Sequence, residues 1–229
     1  MLKPFQNIFN LFFPELCLIC ENSLIESNQM LCITCRSNLP VTNFSNWKNN
    51  EVEKSFYGRV DIEAATSLLY FNRKGSVQQL IHQLKYKNQQ EIGVFLGNWL
   101  GDEMVLSKRF NQLDGIIMVP LHKNRFKKRG YNQVAKFGEV LSKKLEVPLF
   151  KEVLIRTSKS KTQTFKSRFE RSKKLEEHFQ LADKEVLNRK HILLIDDIIT
   201  TGATLEACCM QLLQADNVKI SIATMAYTL

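Results

Sequence analysis

With 229 residues, 44% hydrophobic and 24% charged, the chain can bury a full core and has the make-up of a folded globular protein, not of a disordered or fibrous one. Its formal charge of +9 points to phosphate-bearing partners, and nucleic acid and small polyphosphates both fit that sign. No apolar run approaches the ~20 residues of a spanning helix, so no membrane span is expected.

The chain opens with MLKPFQNIFNLFFPELCLIC, in which Gln6, Asn7 and Asn10 interrupt the apolar stretch and no small-residue cleavage site follows. This reads as an amphipathic lead-in rather than a secretory signal, and a cytoplasmic protein is expected. Cys17-Leu-Ile-Cys20 and Cys32-Ile-Thr-Cys35 follow, eleven residues apart. Two such knuckles suit a four-cysteine zinc ribbon, each supplying two thiolates to one tetrahedral ion. Disulfides or redox pairs are the alternative, which a reducing compartment disfavours. About forty residues bury too little to fold unaided, whereas structural zinc contributes an apparent ~10–16 kcal/mol. Residues 1–45 are therefore expected to form a zinc-ribbon module.

Residues 40–61, PVTNFSNWKNNEVEKSFYGRVD, are polar and aperiodic and read as a linker or loop. A second domain is expected over 60–229, beginning with a strand at Glu63–Phe71 and an amphipathic helix at Ser76–Lys87. A further helix from Glu91 carries Gly93, Gly97 and Gly101 as weak points. From Gly115 the pattern alternates: GIIMVP as a strand, Tyr131–Leu145 as a helix, and KEVLIR as a short strand. HILLIDD is then a strand, GATLEACCMQLLQAD a helix with Cys208 and Cys209 as small buried apolar residues, and VKISIATMAYT the closing strand. Apolar strands separated by helices predict an α/β fold, a mostly parallel sheet covered on both faces.

In such a sheet ligands bind beyond the carboxyl ends of the strands. Asp196 and Asp197 are expected at one such end. Thr200, Thr201, Gly202, Ala203 and Thr204 open the next helix, whose free N–H groups form an anion cradle. Two hydroxyl-binding acids beside a phosphate pocket match a ribose 5-phosphate.

ILLIDDIITTGAT resembles the phosphoribosyl-pyrophosphate (PRPP) signature of type I phosphoribosyltransferases. The four-cysteine ribbon, IHQLKYK, VPLHKNRFKKRGYNQ and a Gln…Arg segment before HFQL extend this into a resemblance to the ComF/GntX family over essentially the whole chain. That resemblance implies a type I phosphoribosyltransferase fold behind a small zinc ribbon, with residues 60–115 as the hood. It also implies Mg-assisted displacement of pyrophosphate from PRPP, in a protein associated with DNA uptake and competence. Asp196 and Asp197 would hold the ribose hydroxyls, Thr200–Thr204 the 5-phosphate, and Pro120, Leu121, Lys123 and Arg125 the pyrophosphate, with Mg²⁺ accompanying PRPP. The family usually has Asn three residues after the Arg matched by Arg171, where this chain has Lys174.

Arg156–Lys174 holds eight basic residues and one acid, which suits a mobile lid, or else a solvated basic loop; Gln163 and Arg171 are its catalytic candidates. Lys123, Arg125, Phe126, Lys127, Lys128, Arg129 and Tyr131 interleave cations with aromatics, as single-stranded nucleic acid requires, although the rim of a pyrophosphate site would look the same. Lys85 and Lys87 face either the pocket or solvent, and His82, His178 and His191 read as lone structural residues. The alternative to the enzyme is a non-catalytic single-stranded-DNA-binding competence factor that retains a PRPP pocket. Competence proteins such as a DNA-translocating helicase are its expected partners.

Overall fold

The computed structural model describes residues 14–24, 29–157 and 179–229. The cysteines lead into α1 (Ile33–Ser37), a 3-10 turn at Phe44–Asn46 and α2 (Glu51–Lys54). There follow β1 (Ala64–Phe71), α3 (Ser76–Tyr86), α4 (Glu91–Leu106), β2 (Gly115–Met118), α5 (Lys123–Arg129), α6 (Ala135–Lys144) and β3 (Leu149–Phe150). The chain ends with β4 (Leu154–Arg156), β5 (Phe179–Leu181), β6 (His191–Ile199), α7 (Ala203–Leu212) and β7 (Lys219–Thr228).

The main sheet has the order β1-β7-β6-β2-β3, and every neighbouring pair is parallel. Strand alternation divides its side chains between two cores. Ile116, Leu193, Ile195 and Ala223 pack with α3, α4 and α6 on one face, while Ile117, Ile192, Leu194 and Ile222 pack with α7 on the other. This is the expected α/β class, a parallel sheet with helices on both faces. KEVLIR, expected among these strands, instead contributes Leu154–Arg156 to a separate antiparallel pair with Phe179–Leu181.

In α3 the apolar positions Val77, Leu80, Ile81 and Leu84 are all buried, as their spacing predicts. Gly93, Gly97 and Gly101 share one face of α4 at four-residue spacing. A Cβ on Gly97 would lie 3.1 Å from Val140 Cβ and 3.2 Å from the Phe137 carbonyl oxygen. The glycines thus cost helix propensity and allow α6 to approach closely.

Two differences from the sequence expectations bear on the site. Residues 40–61 are no linker. Phe44, Val52 and Phe56 are buried in the α7-side core. Asn50 and Glu53 are buried as well: Asn50 caps α2 and donates to the Ala65 carbonyl, and Glu53 pairs with Arg109. The polar composition of this stretch conceals a satisfied polar network, which aperiodic sequence does not reveal. Second, β6 continues to Ile199, so Asp196 and Asp197 lie within the strand and not at its end. Consecutive strand residues point to opposite faces, so the two side chains leave the strand on opposite sides.

Candidate functional site

Asp197 is buried and turns toward α3, where Lys85 Nζ donates to its Oδ1 at 3.0 Å and lies 3.0 Å from Oδ2. Lys85 is thus fixed against Asp197, whereas Lys87 is exposed to solvent. Asp196 turns the other way. Its Oδ1 accepts the Asp197 amide at 2.8 Å, and the residue lines a pocket of about 30 Å³ formed with residues 198–205. Burial, and next the charge of Asp197, push the Asp196 carboxyl up to about 8, against the pull of Lys85 and Arg156.

The loop after β6 is held from behind. Gly202, at φ +73°, caps α7 in the left-handed region that side chains resist. The Thr204 and Leu205 amides stand in the first turn of α7, where no intrahelical acceptor exists. Arg59 donates to the Thr201 carbonyl at 2.8 Å and forms an ion pair with Glu206 in that turn. Without this cation, Glu206 would repel any anion at the helix start. The expected phosphate-loop residues Thr200, Thr201, Gly202, Ala203 and Thr204 therefore share one pocket with Asp196.

On the other side of β6, the Val119 amide donates to the Ile195 carbonyl at 2.9 Å, which sets Pro120 and Leu121 beside the strand just before the acids. Lys123 and Arg125, expected in a pyrophosphate loop, lie instead on α5, a helix capped by His122 with no buried residue. Arg125 bears on the site only through Arg156. Burial lowers the pKa of the Arg156 guanidinium, Arg125 lowers it further, and Asp196 opposes both. Arg156 Nε is buried with no hydrogen-bond partner among the described residues. Gln163 and Arg171, His178 and the rest of 158–178 lie outside the described residues.

Of the nucleic-acid candidates, Lys123, Arg125, Phe126, Lys127 and Lys128 are exposed on α5. Arg129 is half-buried and donates to Gln133 Oε1 at 2.7 Å. Tyr131 is not free to stack: it is half-buried and its hydroxyl donates to the Leu84 carbonyl. Besides Phe126, Tyr86 at the end of α3 is an exposed aromatic there, one that the sequence did not single out.

The Sγ atoms of Cys17, Cys20, Cys32 and Cys35 all lie within 4.8 Å of one another, with Cys20 and Cys32 3.7 Å apart. Zinc–sulfur bonds of about 2.3 Å set tetrahedral edges near 3.8 Å, so this donor set fits zinc. The Cys32 amide donates to Cys17 Sγ and the Cys35 amide to Cys32 Sγ, each at 3.4 Å. Burial opposes the Cys17 thiolate, yet hydrogen bonds, led by the Cys20 and Cys32 amides, bring this thiol down to about 6. Among the described residues no other group of three or more His, Cys, Asp or Glu could hold a metal, and no helix is long and apolar enough to cross a membrane.

The family profile described as phosphoribosyl transferase domain matches residues 135–228. A DNA utilization protein of Shigella flexneri is 32% identical over 153 residues, 66% of each chain. Competence protein F of Haemophilus influenzae is 35% identical over 130 residues, 55% of this chain and 57% of that one. The matches thus span about two thirds or less of these relatives. Adenine phosphoribosyltransferase of Saccharomyces cerevisiae superposes at a TM-score of 0.37 with 16% identity, covering 62% of this chain and 69% of that one. With its four-cysteine cluster fit for a zinc ribbon and its type I phosphoribosyltransferase fold, the chain belongs to the ComF/GntX family.

Proposed function

We propose that the protein binds PRPP and acts as a phosphoribosyltransferase, with the 5-phosphate on the amides and hydroxyls of Thr200–Thr204 and the ribose hydroxyls on Asp196 and Asp197. The carrying observation is that Asp196 lines the same pocket as that loop. Displacement breaks the bond from C1 to the pyrophosphate oxygen, the pyrophosphate leaving with the bonding pair, while a nucleophilic atom of the acceptor supplies the pair for the new bond to C1 and gives up any proton it carries. Cations fixed near the leaving group lower that barrier, and Arg156, whose charge acts on Asp196, is suited to the task. Mg²⁺, bound to PRPP's own oxygens, would add charge neutralisation. Asp197 must share or exchange Lys85 to meet the sugar. Zinc on the four cysteines is read as structural, in a reducing, cytoplasmic setting.

Titration calorimetry of the protein with PRPP and Mg²⁺ tests this reading. Hydrogen bonds to charged groups contribute ~1.5–3 kcal/mol each, so Asp196→Asn with Asp197→Asn together should weaken binding by about two to four powers of ten. Unchanged affinity in that double variant would refute the pocket. Pyrophosphate release with an acceptor panel then tests turnover.

A second reading, single-stranded DNA handling without catalysis, is favoured by α5, with exposed Lys123, Arg125, Lys127 and Lys128 around Phe126. The names of the relatives agree with it. Binding of an oligonucleotide that ignores both salt and charge reversal on α5 would remove its basis.

A further inference from the structure

Lys85, which reaches Asp197, is followed by Tyr86, whose side chain is 53% exposed. Arg129 donates to the Tyr86 hydroxyl at 3.4 Å, and its guanidinium stands 5.2 Å from the ring centroid. Lys128 Nζ lies 6.0 Å from the same centroid, and the His82 ring leans on it at 5.0 Å and 44°. Neither α3 nor α5 contains an acidic residue. A flat, half-exposed ring is thus set in concentrated positive charge.

That field bears on the phenol. Its pKa is lowered, first by the Arg129 hydrogen bond, with the charges of Arg129, Lys85 and Lys128 adding to it against burial. Surroundings that favour a tyrosinate favour any anion brought there. The surface also joins the sugar site directly: Lys85 links α3 to Asp197, and the loop after Val119, bonded to Ile195, leads into α5. A neutral free base would gain nothing from these cations, whereas a base carrying phosphate would use both the ring and the charge.

We propose that the second ligand of this site is a nucleotide, its base laid on Tyr86 and its phosphate held by Lys128 and Arg129. Only its role as partner of PRPP rests on the function proposed above; its binding does not.

Calorimetry on the full chain compares AMP, GMP, CMP and UMP with their free bases and with a four-residue single strand, using wild type, Tyr86→Ala and Lys128→Glu. At least one nucleotide probe should bind ten-fold or more tighter than its free base, and each substitution should weaken it by about ten-fold. Binding of mononucleotides identifies a free nucleotide, and binding of the strand alone identifies a strand residue. Both side chains are exposed enough to replace without opening the core, and melting curves verify this. The proposal is overturned if free bases bind as well as nucleotides, if neither substitution matters, or if no probe binds. PRPP–Mg titration of the same samples reports the sugar site separately, so either idea can fail alone.

Discussion

Lys85 and Asp197, 112 residues apart, join the end of α3 to the C-terminal third of the central strand through an amine 3.0 Å from both carboxylate oxygens. Both side chains are largely removed from solvent, at 20% and 8% exposure. Deleting one partner of such a pair leaves an uncompensated charge, which costs far more than deleting both. Lys85→Met should therefore destabilise the protein by about 2–4 kcal/mol in urea unfolding, and adding Asp197→Asn should recover at least half of that. Additive losses would mean that the pair is no coupled contact.

Asp196 makes pH the second probe. Its folded pKa of about 8 stands above the ordinary value of 3.8, so the folded state holds this proton more tightly than the unfolded chain does. The stability this provides is complete below about pH 4 and is lost as pH rises toward 8. Asp196→Asn should melt above wild type at pH 8, and the gap should close progressively toward pH 4. If sugar hydroxyls donate to this carboxylate, PRPP binding at pH 7 should release protons from wild type but not from the variant. Calorimetry in buffers of different ionisation enthalpy reads that release, and identical proton counts would contradict the assignment.

Features written within some fifteen residues were legible in the sequence: the paired C-x-x-C knuckles, the apolar strand running into Asp196-Asp197, and the Thr/Gly loop. Their local chemistry requires those residues at those spacings. The supports were not legible. Arg59 meets Glu206 across 147 residues from a stretch read as linker, and no local pattern marks it. Strand length was misjudged because two acids look like an ending, although the ladder continues to Ile199 beside Tyr227. The α4 glycines looked like weaknesses because propensity is local, whereas their use is contact with α6.

The cysteine cluster is not an appendage to the energetics. Cys17, Leu31 and Leu39 are buried in the same core as Leu80, Leu84 and Leu96. One zinc per chain is expected by native mass spectrometry. Stripping it with a chelator, or Cys20→Ser, should lower the melting temperature by at least several degrees, because the binding free energy of a structural zinc adds to that of folding. A chelated protein that melts unchanged would show that these cysteines carry no structural ion.

Arg59 gives the sharpest test of the 5-phosphate site proposed at Thr200–Thr204. It holds the Thr201 carbonyl from below and neutralises Glu206 in the first turn of α7. Its own exposure is only 24%, so solvent screens this pair weakly. In Arg59→Met the helix start keeps its amides but gains an unpaired carboxylate beside them, which opposes any phosphate placed there. PRPP affinity should fall about ten-fold, while melting drops by only a few degrees. Adding Glu206→Gln removes the repulsion and should restore at least half of the lost binding free energy. Were the double variant as weak as Arg59→Met alone, the role of Arg59 would lie in its bond to Thr201 and not in its charge; wild-type affinity in Arg59→Met would mean that the loop needs no such support.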